Sequence, residues 1–200
     1  FLAKKYDALL YLDEAHSLGI FGKKGFGIAS SDKYEKELVV GTFGKSFGSF
    51  GAFVSSEKNI YKKIVNSGNG LIYSTALTPG NYAAILEAIK IMPTLNKLRA
   101  SLIKNATFLI EELNKLNFFT GKTKSHIIPI IIGNNEECLD LQTYLRNRGF
   151  FVKAIRSPTV PEGTERIRIS LTATITKNIL EKFLENLRSF KNRWATNCFL

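Results

Sequence analysis

The sequence predicts an α/β chain that closes in a smaller α+β unit, and three observations predict it. Apolar runs ending in a polar residue occupy 8–13, 37–43, 51–56 and 70–76. Strands covered on both faces lose the alternating pattern, so these runs read as buried parallel strands. Helical spacing fills long stretches between and after them. Past about Leu116 the texture changes to separated short strands and amphipathic helices.

The elements follow in order. "ALLYLD" (8–13), "ELVVGTF" (37–43) and "GAFVSS" (51–56) are the first three strands, and "GLIYSTA" (70–76) the fourth. Between the third and fourth, "SEKNIYKKIVNSG" (56–68) has helical spacing and a glycine stop. From Pro79 the pattern is helical as far as Pro93, which interrupts it because proline breaks the preceding helical turn. A second helix runs on to about Leu116. "SHIIPIIIG" (125–133) then reads as a strand and "EECLDLQTYLRNRG" (136–149) as a helix stopped by Gly149. "FFVKAIR" (150–156) and "ERIRISLTA" (165–173) read as strands flanking the loop "SPTVPEGT", and "TKNILEKFLENLRSF" (176–190) is a closing amphipathic helix. This βαββα unit places a boundary near Pro93, giving domains 1–93 and 94–200. No internal repeat or low-complexity tract occurs.

Two hundred residues bury roughly 70% of the surface of the unfolded chain, enough for a core without staples. A hydrophobic share of 44% and a charged share of 22% are ordinary for a soluble globular protein. No apolar run approaches the ~20 residues needed to span a membrane, and the first residues lack a secretory cleavage site. Two cysteines, Cys138 and Cys198, are too few for a disulfide framework or a zinc site and read as free thiols in a reducing cytoplasm. No metal site is expected. The net charge of +11 suits nucleic acid or an anionic surface, yet the basic residues are scattered and read as a solvated face, with no nucleic-acid or membrane partner.

"GTFGKSFGSFGAF" (41–53) and the upstream "LLYLDEAHS" (9–17) together suggest a nucleotide hydrolase. A phosphate-wrapping loop needs glycine five residues before the Gly of Gly-Lys-Ser. That position is Val39, and the acidic box precedes the lysine instead of following it. The hydrolase reading fails on both counts.

Another chemistry uses the same residues. Open α/β sheets bind ligands outside strand C-termini; Asp13 ends one predicted strand, His16 follows within a turn, and Thr42 to Lys45 end the next. A carboxylate, an imidazole, a hydroxyl and a lysine then share one crevice. Pyridoxal 5'-phosphate, an electron sink, uses all four. Lysine is the covalent partner of its aldehyde, a buried carboxylate pairs with the ring nitrogen, imidazole hydrogen-bonds ring or substrate oxygen, and Thr42 with nearby N–H groups takes phosphate oxygens. The lysine must lose its proton, which burial favours; Phe43 and Phe47 are expected to supply the apolar surroundings. Singly, each has a plainer reading: Lys45 as a surface lysine, His16 as a helix-start residue, Asp13 as an N-cap.

"YLDEAHSLGIFGKKGFG" and "GTFGKSFGSFGAF" resemble the α-oxoamine synthases, a family of fold-type I pyridoxal-phosphate enzymes that condense an amino acid with an acyl thioester. Their Asp-x-x-His, followed by Thr-Phe-Gly-Lys some thirty residues on, matches Asp13, His16, Thr42 and Lys45. "LIYSTALTPG" resembles the motif whose hydroxyl reaches the phosphate in the neighbouring subunit, with Thr75 as candidate and Ser74 as rival; the family's Pro-Pro is here Thr78-Pro79. "AIRSPTVPEGTERIRISLTA" (154–173) resembles the small-domain motif. There Arg168 corresponds to the residue holding the substrate carboxylate, a bidentate bond that contributes about 1.5–3 kcal/mol. Arg166 is expected on the opposite face and solvated. Arg156 either reads a substrate or anchors its loop.

The resemblance covers nearly the whole chain except "RWATNCFL". The details around Arg156 and Tyr73 imply the branch of the biotin pathway that joins L-alanine to pimeloyl-CoA or pimeloyl-acyl carrier protein. Branches taking glycine or serine share the chemistry. The resemblance further implies a cytoplasmic homodimer with shared active sites, Lys45 as general base, and His16 and Asp13 as its catalytic companions. Family members are roughly twice this length, and the chain opens on Phe1. The expectation is therefore a fragment: the C-terminal part of the cofactor-binding large domain plus the small domain, inactive when isolated. An inactive remnant is the alternative.

Overall fold

The computed structural model describes residues 2–31 and 34–197, and side chains as far as residue 192. Cys198 lies outside the described residues. The chain divides into two units, Phe1–Asn96 and Lys97–Leu200.

In the first unit a short helix, α1 (Leu2–Lys5), precedes three strands, β1 (Leu10–Asp13), β2 (Glu37–Thr42) and β3 (Ala52–Ser56), in the order β1-β2-β3. β1 and β2 run parallel, with Leu12 beside Val39 and Asp13 beside Val40. Their long connection folds as two 3-10 turns, Lys23–Gly25 and Ile28–Ser30. β3 runs antiparallel to β2, with Val40 opposite Val54 and Thr42 opposite Ala52, which corrects the all-parallel expectation. Only residues 43–51 join these strands, and a parallel crossover needs a dozen or more.

The strands are also not covered on both faces. Side chains alternate along a strand, so Leu12, Val39, Gly41 and Phe53 share one face while Tyr11, Asp13, Val40, Thr42 and Val54 share the other. The second face is open: Tyr11 is 60% exposed and Val54 47%.

α2 (Lys58–Ser67) ends at Gly68, whose N–H donates to the Ile64 carbonyl at 2.7 Å. The expected fourth strand over 70–76 is absent. Instead the Gly68 carbonyl accepts the N–H groups of Leu71 and Ile72 at 2.9 and 3.0 Å, closing one more turn, α3 (Asn69–Ile72). β-Branched and aromatic composition favours a strand only where a neighbour offers a ladder and a half-buried surface; here Tyr73 is 84% exposed. α4 (Pro79–Ile91) is capped by the Thr78 hydroxyl, which accepts the Asn81 N–H, with Pro79 in the first helical position. That position tolerates proline because its N–H would be unpaired anyway. Pro93 lies in a 3-10 turn, Met92–Thr94.

The second unit follows its sequence pattern closely. α5 (Asn96–Lys115) buries Leu102, Ala106, Leu109 and Leu113, one stripe at helical spacing. β4 (Ile127–Ile131), α6 (Asn135–Arg146), β5 (Lys153–Ile155), β6 (Arg166–Ser170) and α7 (Lys177–Asn197) complete it. The sheet order is β4-β6-β5, antiparallel throughout. Ile128, Ile130, Ile167 and Ile169 are buried from its inner face, with Leu141, Leu145, Leu180, Leu184 and Leu187 from the helices. Asn134 caps α6 by accepting the Glu136 and Glu137 N–H groups at 2.8 and 3.1 Å. Among the described residues no helix is long and apolar enough to cross a membrane.

Candidate active site

β1 ends at Asp13, and the ladder continues one step as the Glu14 N–H donates to the Val40 carbonyl at 2.7 Å. The chain then turns sharply, with the Ser17 and Leu18 N–H groups donating to the Glu14 carbonyl at 3.1 and 3.0 Å. Asp13 is exposed; one of its oxygens accepts the Ala15 N–H at 2.9 Å and the carboxylate makes no other hydrogen bond among the described residues. His16 is exposed one turn later.

β2 ends at Thr42. Its hydroxyl donates to the Gly51 carbonyl at 3.2 Å and accepts the Gly44 N–H at 3.2 Å, which bends the chain into a tight turn. The Gly48 N–H donates to the Lys45 carbonyl at 3.1 Å and the Ser49 N–H to the Phe43 carbonyl at 2.9 Å. Lys45 stands on this turn with an exposed side chain. Among the described residues the two phenylalanines expected around it do not enclose its amine. Phe43 packs edge-on against Phe47 at 5.3 Å and lies 5.4 Å from Phe53. All three rings line a cavity of about 390 Å³ together with inner-face residues such as Val39 and Leu18. The aromatic residues bury the underside of the sheet, not the amine.

Asp13, His16, Thr42 and Lys45 thus stand at the C-terminal ends of two adjacent parallel strands. By strand register, Asp13 and Thr42 are on the open face. This donor set fits pyridoxal phosphate: a carboxylate for a protonated ring nitrogen, an imidazole and a hydroxyl for oxygens, and an accessible primary amine for the aldehyde. Ser74 and Thr75 follow α3 and are exposed, the Ser74 hydroxyl donating to the Leu71 carbonyl at 3.2 Å.

The second unit carries the two candidate arginines. Arg168 lies in the central strand β6 between Pro129 and Lys153 and is half-buried. Arg166 is also half-buried and shares the face of Arg168, because residues two apart point the same way; its Nε–H donates to the Thr164 carbonyl at 2.8 Å. That overturns its expected place on the opposite face. Arg156 follows β5 at the mouth of the 157–164 loop and is exposed.

Two residues that sequence reasoning passed over hold the site's loops. Glu14, the second letter of Asp-Glu-Ala-His, is 3% exposed. Its carboxylate accepts the Ala29 N–H at 2.6 Å and the Ser17 hydroxyl. Gly27, at φ 87°, must lack a side chain: a Cβ there would sit 2.8 Å from the Glu14 carboxyl carbon. The signal was available in the alternation of a strand, which turns Glu14 inward when Asp13 points outward. The second is Ser46, whose hydroxyl donates to the Leu18 carbonyl at 2.7 Å. Elsewhere, burial, helped by Glu165 and Glu137, pushes the Cys138 thiol up to about 11, with Arg156 pulling the other way. Among the described residues no cluster of three or more His, Cys, Asp or Glu could hold a metal ion.

Comparison with known proteins bears on this geometry. The family model for aminotransferase class I and II matches residues 1–187. The 8-amino-7-oxononanoate synthase of Gluconacetobacter diazotrophicus is 38% identical over 186 residues, which cover 93% of this chain and 46% of that protein. Among solved structures, the Sphingomonas wittichii serine palmitoyltransferase superposes with a TM-score of 0.86 at 29% identity, over 94% of this chain and 48% of that one. The 8-amino-7-oxononanoate synthase of Francisella tularensis gives a TM-score of 0.82 at 29% identity, over 96% and 58%. The chain spans about half the length of the curated relatives it matches. The fold is that of fold-type I pyridoxal-phosphate enzymes, and pyridoxal phosphate is their cofactor. With a match along nearly its whole length and a donor set suited to that cofactor, the chain belongs to the aminotransferase class I and II family.

Proposed function

We propose that this chain is the lysine-bearing half of a pyridoxal-phosphate acyltransferase that condenses L-alanine with a pimeloyl thioester, releasing CO₂ and the free thiol and giving 8-amino-7-oxononanoate for biotin. The observation that carries the reading is the convergence of Asp13, His16, Thr42 and Lys45 at two neighbouring strand ends. The names of relatives near 40% identity support the product. In this reading residues 1–93 are the C-terminal portion of the cofactor-binding large domain and 94–200 the small domain.

When bound, the cofactor supplies an electron sink at the amino acid's Cα. The protein's part is to hold and to move protons. Asp13 keeps the ring nitrogen protonated by pairing a carboxylate with it. His16 hydrogen-bonds a ring or substrate oxygen. Thr42 turns its hydroxyl to a phosphate oxygen, and Thr75, or Ser74 in its place, does so from a second subunit. Lys45 would hold the cofactor through its amine and, as a free amine, would take the Cα proton of alanine as general base. Arg168 offers its planar fork to the alanine carboxylate. Arg156 helps read the acyl substrate or the carboxylate.

A homodimer with shared active sites belongs to the same reading, with Thr75 or Ser74 reaching the neighbouring subunit's cofactor. The protein is proposed to work in the cytoplasm, without nucleic acid or membrane as partner, and the isolated 200 residues to be inactive. A second reading, a serine-specific enzyme with a longer acyl thioester, is favoured by the serine palmitoyltransferase superposition. The product of the gene's full reading frame should be assayed with alanine, glycine and serine against pimeloyl and long-chain thioesters. Turnover of alanine with the pimeloyl thioester supports the first reading; turnover only of serine with the long chain replaces it with the second.

A further inference from the structure

Two loops carry the reactive residues of the first unit. The loop after β1 holds His16, and the turn after β2 holds Lys45. The first is fixed from within. The Glu14 carboxylate accepts the Ala29 N–H and the Ser17 hydroxyl, and the Gly19 N–H donates to the Gly25 carbonyl at 2.7 Å. The second loop reaches the first through Ser46, the residue directly after the lysine, whose hydroxyl donates to the Leu18 carbonyl at 2.7 Å.

Shape completes the contact. Gly19 has φ 84°, and a Cβ built on it would lie 2.6 Å from both Cβ and Oγ of Ser46. The serine therefore seats against bare backbone, a fit that only glycine permits on the other side. Neither residue is among those that hold the cofactor in the reading above, and both lie where the two loops touch.

We propose that Ser46 and Gly19 form a clamp that positions Lys45: the serine hydroxyl locks the lysine turn to the His16 loop, so that amine and imidazole keep one mutual placement before any cofactor arrives. Fixing both groups in advance removes the ordering cost from the binding step. The role given to Lys45 rests on the proposed function, but the clamp itself is a property of the cofactor-free chain and is tested there.

Amide hydrogen exchange of the product of the full reading frame, prepared without cofactor and resolved by peptide mass spectrometry, reads the clamp from both sides. Ser46→Ala is expected to speed exchange in peptides covering 42–50 and also in those covering 15–22, on the order of fivefold for one lost hydrogen bond. Ser46→Thr keeps the donor and is expected to restore protection in both. Gly19→Ala, from the opposite loop, is expected to loosen 42–50. The proposal is overturned if Ser46→Ala affects only its own turn, or if Ser46→Thr exchanges as fast as Ser46→Ala. It is equally overturned if exchange rises to the same degree over 127–131 and 166–170, since the serine would then support the fold at large. Failure of the cofactor reading shows separately, as absence of a borohydride-trapped adduct on Lys45, and leaves these exchange rates unaltered.

Discussion

The two units solve the burial problem differently. Every one of the largest fully buried side chains among the described residues, from Leu109 to Leu187, belongs to the second unit. The first unit keeps few apolar side chains fully inside, and one face of its sheet stands open with Tyr11 and Val54 exposed. Asp13, His16, Thr42 and Lys45 lie on the less buried unit, and the two candidate arginines, Arg156 and Arg168, on the other. The second unit closes its own core, whereas the first, in a chain about half the length of its curated relatives, leaves one sheet face without the covering layer that parallel strands require.

The comparison breaks most visibly in the cores. Ile167→Ala, at a fully buried position, is expected to cost about 2–5 kcal/mol in urea unfolding, from lost burial and the cavity left behind. Val54→Ala, a similar deletion on the open face, is expected to cost about 1 kcal/mol or less. Equal costs would erase the distinction between the units.

A smaller effect sharpens it within the first unit. Gly27→Ala must adopt φ 87° and displace the Glu14 carboxylate, for an expected loss of about 1–3 kcal/mol. It should also loosen 14–30 in hydrogen exchange. If stability is unchanged, Glu14 does not pin that loop.

The pH dependence of Cys138 probes the second unit. Its thiol is raised from the ordinary 9.0 to about 11, chiefly by burial. The folded chain therefore keeps the proton longer than the unfolded chain. The thiol's contribution to stability is intact below pH 9 and declines as the pH rises through about 11. Peptide-resolved alkylation of Cys138 in the native chain should stay slow at pH 8–9 and accelerate toward pH 11, whereas the urea-unfolded chain should react readily near pH 9. Equal rates in both states would show an open core. The smallest change is expected at the exposed Lys90–Glu87 pair, 3.3 Å apart on α4: Glu87→Gln should alter stability by less than about 0.5 kcal/mol.

Much of the second unit was legible in the sequence because its burial follows simple periods. Ile128 and Ile130 alternate with half-buried neighbours, and Leu102, Ala106, Leu109 and Leu113 fall on one helical stripe. The first unit was legible in its motifs more than in its strands. Asp13, His16, Thr42 and Lys45 could be picked out by type and spacing, since a carboxylate, an imidazole and a lysine at strand ends suit one cofactor. The direction of β3 was misjudged although the length of 43–51 decides it. The run 70–76 looked like a strand because composition does not report whether a neighbouring strand is there to pair with. The surroundings of Lys45 were misjudged because residues 43–51 fold as a tight turn, which sends Phe43 and Phe47 into the cavity under the sheet and leaves the amine outside it. Glu14 and Ser46 were overlooked because each has a partner distant in sequence that engages it through a backbone group, the Ala29 N–H and the Leu18 carbonyl.

The central claim is that Lys45 is the covalent partner of pyridoxal phosphate. The product of the full reading frame, incubated with the cofactor, reduced with borohydride and mapped by peptide mass spectrometry, tests it directly. The account predicts one dominant adduct, on Lys45, accompanied by loss of the yellow absorbance, and no dominant adduct in Lys45→Ala. An adduct spread evenly over the surface lysines, or one that persists undiminished in Lys45→Ala, would contradict it.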